Sequence, residues 1–259
     1  MSSVLPISIF IITQNEEKHI RRLLLSCKNF DEIIIVDSGS TDDTLSIAKE
    51  FDVKIFHKAW MGYANQKAYA MSLCSNEWVL NLDADEELTT ELIEAYEKAI
   101  KEDKYNSVRC QRNDIFIGKA LSRFTKKPNN CRFYKKQFAS FDSSRLAHER
   151  ADVQGPEKKV TQYFNHYGYS DIETITHKNN LYSTLKAKEK YLKNKKASGI
   201  KLLLIFPLIF IKTYIIQRHI FSGYRGFVLS ISTAYYLFIK EVKLFELSKM
   251  ATHKTRSQD

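Results

Sequence analysis

Acidic charge is what this chain is short of. Its 259 residues carry 30 Asp and Glu against 40 Lys and Arg, a formal net charge of +10. Such a surplus suits nucleic acid, an anionic lipid surface or a phosphate-bearing substrate, and only the placement of the charges can choose among them. Cysteine is scarce as well. Cys27, Cys74, Cys110 and Cys131 stand apart with no CxxC pair, which argues against structural zinc and against a disulfide framework. They read as reduced, mostly buried thiols of a cytosolic protein. No basic leader or small-residue cleavage site precedes the first apolar run, so no signal peptide is expected. A clean membrane span is lacking: the best stretch, Leu202–Ile216, is short and is interrupted by Pro207 and Lys212. Repeats and low-complexity linkers are not seen.

What is present is enough apolar material, 44% of residues, to bury a substantial core in one large domain or a domain with an appendage. The first part alternates apolar, β-branched runs with helical spacing. Ile7–Thr13, Glu32–Ser38, Val53–Lys58 and Trp78–Asp83 predict strands, with a further one near Ser107–Arg112. Helices are predicted after Glu16, near Thr44–Phe51, over Tyr63–Cys74 and over Thr89–Lys101. Continuous apolar strands separated by helices imply an α/β fold, a mostly parallel sheet covered on both faces. Residues 116–170 look irregular, basic and aromatic. From Ile172 the chain turns helical, first strongly charged to Lys196, then apolar over Leu202–Lys249 with a turn at Gly223–Gly226.

Three polar clusters follow three of those strands, where open α/β sheets bind ligands. Thr13–Glu17 (TQNEE) offers Thr13, Asn15 and Glu16, although a helix N-cap would use the same residues. Val36–Thr44 (VDSGSTDDT) places Asp37 to accept hydrogen bonds from a base or ribose. Ser38 and Gly39 there form a tight turn that a ligand can approach closely, or simply a strand-to-helix connection. Asn81–Glu87 (NLDADEE) sets Asp83 and Asp85 two apart, a spacing able to hold a hard divalent cation together with phosphate oxygens. An acidic helix start would look alike, and the pattern gains specificity from being the third such cluster in order.

Those motifs resemble the nucleotide-diphospho-sugar glycosyltransferases of family 2, which have the GT-A fold, Rossmann-like with helices on both faces. Looser segments are similar to the bacterial lipopolysaccharide core glycosyltransferases of β-1,4-glucosyltransferase type. These are Gln111–Lys119, Cys131–Lys136, Leu146–Arg150, Asn165–Glu173 and Thr176–Ser183. The resemblance implies an inverting transfer of a hexose, glucose from UDP-glucose by analogy, to a lipopolysaccharide core or other glycolipid. It divides the chain into a nucleotide-sugar-binding part (1–115), an acceptor and catalytic part (116–180) and a basic, apolar helical part (181–259).

Carried over residue by residue, Glu16 and Asp37 would grip uracil and ribose, and Lys67 would lie near the nucleotide unless it is an ordinary solvated lysine. Asp83 would meet the ribose or a metal, and Asp85 would ligate Mg²⁺ or Mn²⁺ through the diphosphate. His166 is a further candidate ligand, or else a loop histidine among aromatics. An inverting displacement needs a base for the acceptor hydroxyl. Glu149 is the candidate, with His148 second; an Asp in an ED pair is commoner at this point of the family. Arg112 and Arg132 could hold phosphates or hydroxyls. No QxxRW motif occurs, which disfavours a processive polymer synthase.

Seven lysines from Lys186 to Lys201, with Lys178 upstream, abut the apolar helices. That arrangement fits docking on an anionic leaflet, peripherally at the cytoplasmic face of an inner membrane, or a buried hairpin with a charged outer face. No nucleic-acid partner is expected, because the basic residues follow no nucleic-acid motif. The competing readings are a basic RNA- or lipid-surface-binding module and a sugar nucleotidyltransferase.

Overall fold

The computed structural model describes residues 4–143, 150–169 and 171–256. They form two compact units: residues up to Asp114 together with Lys127–Gly168, and Ile115–Lys126 together with residues from Tyr169 onward.

The first unit is built on a sheet. Strands β1 (Leu5–Thr13), β2 (Phe30–Asp37), β3 (Lys54–His57) and β4 (Trp78–Asp83) pair in parallel in the order β3-β2-β1-β4. Alternation along β1 decides what each face buries. Ile7, Ile9 and Ile11 join a core with Ile20, Leu23 and Leu24 of α1 (Ile20–Ser26) and with Leu92, Tyr96 and Ala99 of α4 (Thr90–Glu102). Phe10 points the other way, into a cluster with Ile34, Val36 and Ala70 of α3 (Tyr63–Ser72). Each fully buried aliphatic side chain contributes roughly 1.5–3 kcal/mol, so the two faces hold the helices on both sides. Helix α2 (Thr44–Ala48) is shorter than its sequence spacing predicts. Helix α4 starts where Thr89 accepts a hydrogen bond from the Leu92 amide at 3.3 Å, an N-cap.

Beyond β4 antiparallel pairs enter the sheet. β5 (Glu86–Glu87), β6 (Ser107–Phe116), β8 (Asn129–Lys135) and β11 (Glu157–Tyr169) extend the order as β4-β8-β6-β11-β5, and β7 (Lys119–Ala120) makes a hairpin with the end of β6. A separate two-stranded ribbon joins β9 (Ala139–Phe141) to β10 (Ala151–Val153). The sheet is therefore mixed: β8 runs against both its neighbours, whereas the Asn106 amide donates to the Pro156 carbonyl and the Ile117 amide to that of Tyr169, so β6 and β11 run the same way as β4. The region that looked irregular in sequence, 116–170, contains five of these strands. The long β11 reads EKKVTQYFNHYGY, largely polar with only Phe164 and Gly168 buried, so it shows no apolar run to betray it. Trp78, Phe133 and Tyr96 stack across this junction at centroid distances of 4.5 and 4.4 Å.

The polar core of the first unit centres on Glu32. Its carboxylate accepts from Ser8, from the Ser75 amide and from Lys54, the last two at 2.8 Å. Burial works against ionisation, but those donors outweigh it and bring its pKa down to about 2. None of the four cysteines is in a disulfide, and burial pushes the Cys27 thiol up to about 12 and Cys110 to about 11.

The second unit is helical. α5 (Ile172–Leu192) packs against α7 (Gly223–Arg256), and α6 (Gly199–Ile211) continues through a π-helical turn, Lys212–Ile216, before packing against α7 as well. The chain reverses at Arg218 and Gly223, with φ of 62° and 58°. The turn thus lies ahead of Gly223, and Gly226 sits inside α7, where a Cβ would fall 1.8 Å from the His219 carbonyl oxygen. Gly199–Ile216 is long and apolar enough to cross a membrane by length and composition, which the interrupted sequence had disfavoured.

Candidate active site

The parallel ladder assembles the site. Thr13 pairs with Asp37, Ile12 with Asp83, and Asp37 with His57, so the carboxyl ends of the first four strands meet at one edge. All three clusters singled out in the sequence are delivered there.

Asp37 is 1% exposed and is used within its own turn. It accepts from the Gly39 amide at 2.8 Å, the Ser40 amide at 3.0 Å, the Ser40 hydroxyl at 2.5 Å and Thr13 Oγ1 at 3.3 Å. Burial opposes its charge, yet these donors hold the carboxyl below its ordinary value. Gly39, at φ 100°, lets the turn close. Ser38 Oγ accepts from Gln66 Nε2 at 3.0 Å. Asn15 adopts φ 57°, its amide donating to Ser40 Oγ at 2.9 Å and its side-chain oxygen accepting from the Thr41 amide at 2.8 Å. The Glu16 amide donates to Thr44 Oγ1 at 2.7 Å, and its side chain is half-buried. The first two clusters thus lock to each other.

Lys67 is 1% exposed, not a solvated helix lysine. Its Nζ donates to Asp83 Oδ1 at 2.8 Å. Arg132 reaches Asp83 Oδ2 at 2.5 Å from β8 and also donates to Glu86. Burial penalises a charge on Asp83, but Arg132 and then Lys67 outweigh it and hold this carboxyl far below the usual range. Burial raises the neighbouring Glu86 to about 7, opposed by Arg132 and reinforced by Asp83. One guanidinium serving two carboxylates leaves the more exposed one, Asp83, with the negative charge.

Asp85 faces elsewhere. β11 pairs antiparallel with β5 so that His166 stands opposite Glu86, and His166 Nε2 comes to 3.8 Å from Asp85 Oδ2. His166 Nδ1 is 2.8 Å from Asp114 Oδ1, and Arg112 holds the same carboxylate at 2.8 Å. A carboxylate on one imidazole nitrogen directs the lone pair of the other outward, the usual support for a metal-binding histidine. Beside the pair lies Gly168, where a Cβ would fall 2.6 Å from His166 Nε2 and 2.7 Å from Asp85 Oδ2. Any larger residue at 168 would crowd both donors.

These residues fit a divalent cation. Among the described residues no group of three or more His, Cys, Asp or Glu forms a metal cage. Mg²⁺ and Mn²⁺ do not need one, being commonly bound by one or two protein ligands, water and substrate phosphates. Asp85 and His166 supply such a partial set, whereas Asp83 is engaged by two cations.

Sequence reading missed Asp114, Glu86 and Gly168. Asp114 and Gly168 lie in the looser segments, but only tertiary pairing gives them a partner. A second polar chain borders the site: Lys127 Nζ donates to Asn113, Asn113 to Asn165 and Asn165 to Glu87, at 2.9, 2.9 and 3.0 Å. The proposed bases, Glu149 and His148, lie outside the described residues.

Comparison with known proteins places this geometry. Residues 8–152 match the family model for glycosyl transferase family 2. An uncharacterized glycosyltransferase of Rickettsia typhi is 39% identical over 93% of this chain and 87% of its own length. The lipopolysaccharide core biosynthesis glycosyltransferase LpsC of Rhizobium meliloti is 30% identical over 93% of both chains. Among solved structures, a Pyrobaculum calidifontis mannosyltransferase in complex with GDP-Man and Mn²⁺ superposes with a TM-score of 0.55, at 13% identity, over 92% of this chain and 86% of that one. S. aureus TarS 1-349 in complex with UDP gives 0.52 at 13% identity over 95% and 92%. At such identity these two similarities establish the fold alone.

Proposed function

The chain belongs to glycosyl transferase family 2, and from that membership we propose that it transfers a hexose, with inversion, from a UDP-sugar to a lipopolysaccharide core or other glycolipid acceptor. The non-catalytic binding module and the nucleotidyltransferase give way to the family match. UDP-glucose is the donor this reading favours. The similarity to a lipopolysaccharide core enzyme supports the acceptor class. The enzyme then works in the cytoplasm, at the inner face of the inner membrane where such an acceptor is built.

The observation that carries the reading is the approach of His166 to Asp85 at 3.8 Å, with a glycine beside the two donors, next to strand ends bearing Asp37 and Asp83. The Asp37 turn and the Asn15–Glu16 segment receive the nucleoside, with their own backbone already fixed by mutual hydrogen bonds. Asp85 and His166 hold a Mg²⁺ or Mn²⁺ ion, which when bound offsets the negative charge gathering on the departing diphosphate. Lys67 and Arg132 keep Asp83 ionised and fixed at the strand end, so that it contributes a preset charge without reorganising. Glu149 takes the acceptor proton as the hydroxyl attacks the anomeric carbon on the face opposite the diphosphate; His148 is the second choice. Residues 1–115 serve the donor, 116–180 the acceptor and chemistry, and 181–259 the surface.

Calorimetric titration of UDP with and without Mn²⁺, followed by a hydrolysis screen across nucleotide-sugars, tests this. Metal-dependent UDP binding and preferential UDP-glucose turnover are expected. Preference for a GDP- or CMP-sugar would replace the donor, and metal-independent binding would remove the cation from the account.

A further inference from the structure

Helix α6 is inside out for a helix bathed in water. The exposed residues of α6 and the turn after it include Ile200, Leu203, Leu204, Leu208, Ile211 and Ile215, three or four apart except for the adjacent pair Leu203 and Leu204, with Leu203 79% exposed. Pro207 lies on the same side. At about 100° per residue these fall on one stripe. The opposite side, carrying the buried Ile205 and Thr213, packs towards α7. A second exposed stripe runs along α7 through Tyr224, Phe227 and Ile231. The stripes adjoin, since the Phe227 ring lies 5.7 Å from Phe210 and 5.8 Å from Tyr214. A patch of this size on a monomer marks an interaction surface.

The charges at its edge say what covers it. Glu241 on α7 is 2% exposed, yet three lysines from three helices converge on it: Lys190 of α5 at 2.5 Å, Lys201 of α6 at 3.3 Å and Lys240 of α7 at 3.6 Å. One carboxylate against three ammonium groups leaves a surplus of two positive charges. Lys195 and Lys196 extend it, exposed, just ahead of α6, while Lys193 is paired with Glu189 at 3.0 Å. Lys201 of α6 and Lys212 just past its end are eleven residues apart, about three turns, and so flank the apolar stripe on one side. Apolar side chains bordered by lysine match a bilayer whose headgroups are anionic; another protein surface would not need cations along a lipid-like stripe.

We propose that the α6–α7 face docks in the plane of an anionic bilayer, monotopically and without crossing it, with the Lys190–Lys201–Lys240 cluster taking lipid phosphates. Gly199–Ile216 spans roughly 27 Å at 1.5 Å per residue, just under the ~30 Å of a hydrocarbon core. Crossing would drive Lys212 into that core and pull α6 off α7. Lying flat keeps Lys212 and Lys201 at headgroup level and leaves the packing intact. This docking deepens the glycolipid reading, which it would supply with a surface-bound acceptor, but it is measured without any sugar.

Flotation of the full chain with phosphatidylcholine vesicles, with and without phosphatidylglycerol, is the test. Binding is expected with the anionic lipid and to fall as salt rises. Leu203→Glu with Leu208→Glu, both at exposed positions, should cut the bound fraction about tenfold or more at unchanged melting temperature. Lys201→Ser should weaken binding about fivefold, near the worth of one lysine at a charged surface. Lys195→Cys and Lys212→Cys should both react with an impermeant maleimide added outside the vesicles, above the wild-type background. Protection of Lys212→Cys alone would mean a crossing helix and overturn the proposal. So would failure to float with anionic vesicles, or a wild-type dimer that the Leu203/Leu208 variant dissolves and vesicles do not. Vesicle binding with no sugar transfer would leave the docking intact and count against the proposed acceptor instead.

Discussion

His166 Nε2 lies 3.8 Å from Asp85 Oδ2, with Asp114 on the other ring nitrogen and no Cβ at Gly168 to fill the space beside them. Partial metal sites are built this way when the substrate must supply the remaining ligands.

Gly168→Ala should fill that space. Its Cβ would lie within 2.7 Å of both donors, so one of them must turn away. Mn²⁺-dependent UDP affinity is expected to drop about tenfold or more, read by calorimetry. Asp114→Asn should cost about 10–100-fold in metal affinity by releasing the imidazole. Unchanged affinity in both variants would assign the metal to other residues.

Arg132→Met should be among the more damaging single changes in the first unit. It leaves Asp83 and the buried Glu86 without their shared cation. A loss of about 3–5 kcal/mol in urea unfolding is expected, as for other broken buried pairs. Adding Glu86→Gln should change little further, because buried Glu86 without Arg132 is already a neutral acid. A double variant markedly more stable than the single one would mean that Glu86 keeps its charge when Arg132 is gone.

Glu32 sets an acid limit on stability. Its folded pKa of about 2 is below its ordinary 4.5, so its contribution is fully present above about 4.5 and is lost as pH falls towards 2. Glu32→Gln should therefore flatten the pH dependence of unfolding in that window. It should also cost on the order of 1–3 kcal/mol at neutral pH, because Ser8, Lys54 and Ser75 lose a charged acceptor. Parallel pH profiles for the variant and the parent would contradict this.

Glu149→Gln should lower kcat by about 10²–10⁴ with UDP affinity unchanged, the mark of a general base. His148→Gln should have the smaller effect. The reverse ranking, from steady-state rates, would exchange their roles.

Core aromatics are a separate check on the junction where β8 runs against β4. Phe133 is fully buried between Trp78 and Tyr96. Phe133→Ala should cost about 3–5 kcal/mol, measured by thermal or urea unfolding.

β1, β2 and β4 were legible because each centres on a buried apolar run, whereas β3 is a short edge strand with only Ile55 and Phe56 apolar. The polar clusters were legible because turn formers and carboxylates follow those runs directly. Of the later strands only β6 was, near Ser107–Arg112. β11 is mostly polar, and the two-residue β5 carries no periodicity at all. Nothing in the local sequence tells Lys67 from a solvated helix lysine either; its burial follows from the helix packing that brings it onto Asp83.

By itself, then, the order of residues determined the family, the parallel ladder and the edge where polar groups gather. These depend on hydrophobicity and turn chemistry within a few neighbouring positions. Tertiary pairing alone decided that His166 meets Asp85, that Arg132 binds two carboxylates, and that α6 turns its leucines outward. Each of those contacts joins segments far apart in the chain, and no local pattern encodes which distant partner a side chain will face.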